Sequence, residues 1–180
     1  MDVKIILLVV ENRDFILTEY AKWLTIMMAS NKLYAIFFAD GKRKAVWFER
    51  RRLIEKALKT DCTHILFVDS DVFPEDGFLE KLLDRKADMI SGVYYFQDGK
   101  PCSVKDDEFY KGKGLQEVDV FAMGLSLIKR EVLEKVQYPQ PKPIEKIDAD
   151  TEFCKLVKKK GFKIMQDFNI RGNHLLLGIY

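Results

Sequence analysis

The sequence predicts an α/β fold, a Rossmann-like domain whose mostly parallel central sheet is flanked by helices. Three observations carry this. Residues 4–10, 34–39 and 64–68 are short, nearly unbroken apolar runs without polar alternation, which is how strands buried on both faces read. Between them lie segments with helical spacing, so strand and helix alternate and the crossovers are right-handed. Each apolar run stops at acid, near Glu11, Asp40 and Asp69, and in a parallel arrangement those stops share one edge of the sheet.

The remaining elements follow in chain order. Asp14 is placed to cap a helix carrying Phe15, Leu17, Tyr20, Trp23, Leu24 and Met27. A second helix spans residues 45–59, and a short one spans 77–86 with Phe78, Leu79, Leu82 and Leu83 inward. Residues 88–96 read as a fourth strand, with Gly92 marking a close approach of backbone or ligand. Residues 97–114, rich in Gly, Asp and Lys, read as the longest loop and a substrate lid. Strand character returns over 118–129 around Met123-Gly124, followed by a brief helix to Val136 and an extended connection through Pro139, Pro141 and Pro143. A last helix begins near Asp148 and ends at Lys158-Lys159-Lys160-Gly161, with a strand over 162–165 after it.

Composition bounds the function. The chain has 180 residues, 48% of them hydrophobic and 32% charged, which describes a globular domain (1–180) rather than a disordered chain. A net charge of +2 gives no electrostatic case for nucleic acid. Cys62, Cys102 and Cys154 lack CxxC spacing, which argues against a disulfide framework or a zinc site and fits a reducing cytoplasm. No apolar run approaches the ~20 residues of a membrane span, and no signal peptide is visible.

The chemistry concentrates at Asp69-Ser70-Asp71. Two carboxylates closing a buried strand repel one another unless a cation or donors sit between them, and the carboxyl end of such a strand is where open α/β sheets bind ligands. Hard divalent cations, Mn²⁺ or Mg²⁺, suit such oxygens and also contact substrate phosphates. Arg50-Arg51-Arg52 lies in the second helix, either as a solvated face or with one arginine turned back over the strand ends towards phosphates. Asp148, Asp150 and Glu152 crowd the start of the last helix. Glu152 is about 200° around from Asp150, so those two cannot share a cleft, and Asp148 is the better cap. Trp47, Phe48, Tyr94 and Tyr95 read as core.

HILFVDSDVFPEDGFLEKLL, GVYYF from Gly92, DVFAMGLSLIKREVLEKV from Asp119 and DTEFCKLVKKKGFKI from Asp150 together resemble the GT-A fold glycosyltransferases, particularly family 2-like inverting enzymes and their small phage and archaeal-virus relatives. The resemblance covers nearly the whole chain. It implies transfer of a sugar from a nucleoside-diphosphate sugar, most commonly a UDP-sugar, to a hydroxyl of a glycan or glycoprotein acceptor, in the cytoplasm (the host's, for a virus-encoded enzyme). It implies Asp150 as the catalytic base, and Asp69, Asp71 and the late His174 as holders of Mn²⁺ or Mg²⁺. Val10, Glu11, Arg13, Asp40, Arg50, Asp69, Ser70 and Asp71 would bind the nucleotide sugar, with Asp40 at the base. Ala149 departs from the family's Glu-Asp pair, leaving one carboxylate fewer.

Two other functions fit parts of the pattern. ILFVDSDV also satisfies the nucleophile strand of a haloacid-dehalogenase-like phosphatase, although there the motif belongs on the first strand. A nucleotide-sugar-binding module without catalysis would explain Ala149.

Overall fold

The structure, a computed structural model, describes residues 3–11, 18–29, 33–40, 45–96, 98–141 and 148–174. Its first half repeats strand and helix: β1 (Ile5–Glu11), α1 (Thr18–Ala29), β2 (Leu33–Asp40), α2 (Val46–Ala57) and β3 (His64–Val68). Short elements follow: β4 (Val72–Pro74), α3 (Phe78–Asp84), β5 (Met89–Val93), β6 (Ser103–Lys105), β7 (Glu108–Phe109), β8 (Leu115–Glu117) and β9 (Val120–Phe121). β10 (Leu125–Lys129), α4 (Arg130–Lys135), α5 (Ala149–Lys159) and β11 (Ile164–His174) complete the chain.

The main sheet runs β2-β1-β3-β10-β5-β11-β4, with β8 also paired to β11. β1 is parallel to β2 and β3, and β11 is parallel to β5. β10 lies antiparallel between β3 and β5, so the sheet is mixed, while β2, β1, β3, β5 and β11 run in one direction. The reason is local. Val120 and Phe121 pair elsewhere, and the Met123-Gly124 turn then sends β10 back along β3. The expected strand over 118–129 is thus two strands with a turn between.

Glu11 is in register with Asp40, and β3 runs beside β1 in the same direction, so the three acidic strand ends share one edge as expected. For Val10, Glu11 and Asp40 the description extends to the backbone. Arg13 and Asp14 lie outside the described residues. The core strands are fully apolar where buried on both faces: Ile5, Ile6, Leu7, Ile65, Leu66 and Val68 are all within 1% of complete burial. Gly92 is indeed a close approach, and it is to protein: a Cβ there would stand 2.8 Å from Leu125 and 2.9 Å from the Ile170 carbonyl.

The segment expected as a loop and lid over 97–114 instead contains a β-hairpin. β6 and β7 form a hairpin whose two-residue loop, Asp106-Asp107, has φ of 51° and 62°, the pattern of a type I′ turn. β9 pairs on the other side of β6, making a three-stranded sheet, β7-β6-β9. Phe48 and Tyr95, expected in the core, are 40% and 43% exposed, whereas Tyr94 is buried.

Helix α5 is capped at both ends. The Asp148 carboxylate accepts from the Thr151 backbone N–H (2.8 Å) and from its hydroxyl (3.1 Å). At the other end Gly161 (φ 84°) donates to the Lys158 carbonyl and Phe162 to the Val157 carbonyl, a Schellman closure that requires the positive φ. Asp148→Ala should lower unfolding stability by ~0.5–2 kcal/mol, read as a shifted urea midpoint with unchanged slope.

Candidate active site

Arg50 reaches the site because of where α2 starts. A crossover helix leaves the carboxyl edge of the sheet, so its first turns lie over that edge. Arg50, Leu53, Ile54 and Ala57, at i, i+3, i+4 and i+7, form the buried face. Arg50 is the first of these and therefore closest to the strand ends. Arg51 and Arg52 point elsewhere and pair within the helix, with Glu55 and Glu49.

The Arg50 guanidinium joins two carboxylates. Nη2 donates to both oxygens of Asp69 (2.7 and 3.0 Å), and Nη1 donates to both oxygens of Asp150 (2.8 and 3.0 Å). Its side chain is 8% exposed, against 23% for Asp69 and 17% for Asp150. Burial works against its charge, but Asp150 and Asp69 more than offset this and hold its pKa well above the usual arginine value. Arg50 thus turns back over the strand ends, where it bridges Asp69 and Asp150.

Asp150 is further held by the Tyr138 hydroxyl, which donates to Oδ1, and by the Met123 backbone N–H, which donates to Oδ2 at 3.0 Å. Burial, with the Asp150 charge beside it, pushes the Tyr138 phenol upward and keeps it a neutral donor. The Asp69 backbone N–H donates to the Gly124 carbonyl (3.0 Å), and the Gly124 N–H donates to the Tyr94 hydroxyl (3.2 Å). A Cβ at Gly124 would meet Asp69 Oδ2 and the Tyr94 oxygen at 2.7 Å each, so only glycine fits the turn. Tyr138, Tyr94 and the Met123 N–H carry no signature in the sequence. Gly124 is the one member of this shell that the glycine before an apolar strand could have indicated.

Asp71 faces the other way. Its Oδ2 stands 3.6 Å from His174 Nε2, an ion-pair separation rather than a hydrogen bond. His174 Nδ1 lies 3.2 Å from the Tyr95 carbonyl, and the ring packs edge-on against Tyr94 at 5.4 Å. Donation from Nδ1 to that carbonyl leaves the Nε2 lone pair facing Asp71, the arrangement used by metal-binding histidines. Because Asp69 is turned to Arg50, no three His, Cys, Asp or Glu side chains among the described residues converge on one point. The expected three-ligand set thus reduces here to the Asp71–His174 pair. That pair suits a hard cation that completes its shell with phosphate oxygens and water. Ser70, between the two acids, is 2% exposed and its Oγ has no hydrogen-bond partner among the described residues.

No family model matches the chain, and no curated protein matches it. Among solved structures the chain is similar to "A197 from STIV" (TM-score 0.72, 20% identity, 97% of this chain and 86% of that one). It is also similar to GalNAc-T7, a GT-A fold glycosyltransferase solved with UDP, GalNAc and Mn²⁺ (TM-score 0.56, 14% identity, 96% of this chain and 43% of that one). The fold is GT-A-like. The inositol-1-phosphate CTP transferase from T. maritima, a nucleotidyltransferase, shares the GT-A-like architecture (TM-score 0.53, 9% identity, 94% of this chain and 88% of that one). No helix among the described residues is long and apolar enough to cross a membrane.

Two outcomes follow. Arg50→Met leaves two partly buried carboxylates facing each other without a cation, and should cost on the order of 3 kcal/mol in chemical denaturation. Arg50→Lys should recover only part of this, because a point charge cannot bridge two carboxylates bidentately. The second concerns His174, whose pKa the facing Asp71 carboxylate raises above 6.5 against the opposing effect of burial. A raised folded pKa adds stability that is fully present below the unfolded value and disappears as pH rises through the folded value. Without added metal, His174→Gln should lose up to about 1 kcal/mol near pH 5.5 and nothing near pH 9, measured by urea denaturation at both.

Proposed function

We propose that this chain is a metal-dependent glycosyltransferase that moves a sugar from a nucleoside-diphosphate sugar, a UDP-sugar in the first instance, to an acceptor hydroxyl with inversion. The observation that carries the reading is the pair of carboxylates closing β3, with Asp71 set against His174 and Asp69 joined through Arg50 to Asp150. The GT-A-like fold supports it, and supports equally a nucleotidyl transfer from the same kind of donor site.

In this reading Asp71 and His174 hold Mn²⁺ or Mg²⁺, which when bound supplies Lewis-acid neutralisation of the leaving diphosphate. Asp69 and Ser70 meet the sugar-nucleotide, and Asp40, at the second strand end, meets the base. Asp150 takes the proton of the acceptor hydroxyl as its oxygen bonds to the anomeric carbon and the bond from that carbon to the diphosphate breaks. Both Asp150 oxygens already accept hydrogen bonds from Arg50, Tyr138 and Met123. The donor's diphosphate competes for the guanidinium, and as Arg50 turns towards it a lone pair on Asp150 is freed for the proton. Ala149, where the resembling family carries glutamate, leaves Asp150 as the carboxylate of that helix start that faces the turn.

Asp71→Asn should fold normally yet lose the Mn²⁺-dependent rise in melting temperature given by UDP. An unchanged rise, or an equal one in chelator, would contradict the metal assignment. Asp150→Asn should keep that rise while transfer falls by about 10²–10⁴-fold, and the product's anomeric configuration should be inverted by NMR. Retention, wild-type turnover in Asp150→Asn, or transfer of the nucleotide rather than the sugar would overturn the reading.

A further inference from the structure

A cavity of about 470 Å³ opens beside Asp150, between the three-stranded sheet and the start of α5. Its walls are Phe96, Cys102, Val104, Phe109, Val120 and Ala122, and its polar end is the α5 start, with Asp148, Asp150 and Thr151. The sheet is fastened to the helix there: the Cys154 thiol contacts the Phe121 carbonyl at 3.7 Å, and the strand continues into Met123, whose N–H holds Asp150. The cavity therefore ends at the carboxylate assigned above as the base.

Its chemistry selects its occupant. The Val104–Val120 pair belongs to the β6–β9 ladder, the Ala122 N–H donates to the Cys102 carbonyl, and the Cys102 N–H donates to the Tyr94 carbonyl. The Asp148 carboxylate is taken up by the Thr151 N–H and hydroxyl. Burial pushes the Cys102 thiol up to about 11, so it is a neutral wall group. Among the described lining residues, then, the polar side chains are gathered at the α5 end, and no cationic or amide side chain lines the apolar walls. Sugar hydroxyls buried against the apolar walls lose water without gaining a side-chain partner there, whereas an apolar surface gains by the same burial. Half-exposed Phe109 at the rim (50%) offers the same kind of surface to an entering group.

We propose that this cavity is the acceptor subsite, and that it takes a hydroxyl carried on an apolar body, aryl or alkyl, rather than a free glycan. The assignment of the cavity as a binding site stands on its walls. Its role as acceptor subsite rests on the transferase reading above. This narrows the expectation of a glycan or glycoprotein acceptor to one presenting an apolar flank at the reacting hydroxyl.

Saturation-transfer NMR with octanol, phenylethanol and methyl glucoside tests the cavity without any donor. The two apolar alcohols should bind and methyl glucoside should not. Their relative strength separates an alkyl from an aryl occupant. Ala122→Phe, which fills the cavity, should weaken both by about tenfold or more. Phe109→Ala, at a half-exposed position, should weaken them several-fold and serves if Ala122→Phe fails to fold. With a UDP-sugar present, transfer should go to the apolar alcohols and fall in the same variants, while the UDP-dependent melting shift stays unchanged. Equal binding of methyl glucoside, or apolar binding indifferent to both variants, would overturn the cavity assignment. Variant-sensitive binding of the alcohols without transfer from any nucleotide sugar would leave the cavity standing and overturn its acceptor role along with the transferase reading.

Discussion

One guanidinium sets the geometry of this site. Arg50 stands between Asp69 at the end of β3 and Asp150 in the first turn of α5, and without it two poorly solvated carboxylates would face each other. The bridge spans elements 100 residues apart in sequence and brings β3, α2 and α5 to one point. A buried ion pair is not in itself a strong source of stability, since desolvation offsets most of the attraction. What it supplies here is placement: each Nη nitrogen holds both oxygens of one carboxylate, so the two acids are positioned at once. The Met123 N–H, the Tyr138 hydroxyl and the glycine-only turn at Gly124 then complete the position of each acid.

The same arrangement separates the two acids of the Asp69-Ser70-Asp71 turn. One carboxylate is directed to Arg50 and the other to His174, so the turn presents two different sites a residue apart. Among the described residues of this site the three carboxylates Asp69, Asp71 and Asp150 stand with one permanent cation, Arg50, a balance that suits a cation-bound phosphate ligand. Tyr94 couples the halves: its hydroxyl accepts from Gly124 beside Asp69, and its ring packs on His174 beside Asp71.

Much of this was legible in the sequence, for identifiable reasons. Short apolar runs ending in acid gave the three shared strand ends, because burial on both faces removes alternation. Asp148 was readable as the α5 cap because it lies just before the helix. Arg50 is named through the resemblance alone; the structure adds its phase with the buried Leu53, Ile54 and Ala57, and its partners were hidden because Asp69 and Asp150 come from distant segments. The antiparallel β10 was hidden because a buried strand reads alike in either direction. The Asp106-Asp107 hairpin was hidden because its turn lacks the usual glycine. Tyr138 lies in a proline-rich connection whose path only tertiary structure defines.

The most direct test of the bridge is ¹⁵N-resolved NMR of the Arg50 side chain in the free protein. A guanidinium held by Asp69 on one nitrogen and Asp150 on the other cannot rotate freely, so its Nη protons should appear as separate, slowly exchanging signals. Asp69→Asn should collapse one set and leave the other. A single averaged, fast-exchanging Nη signal in the wild-type protein would contradict the account.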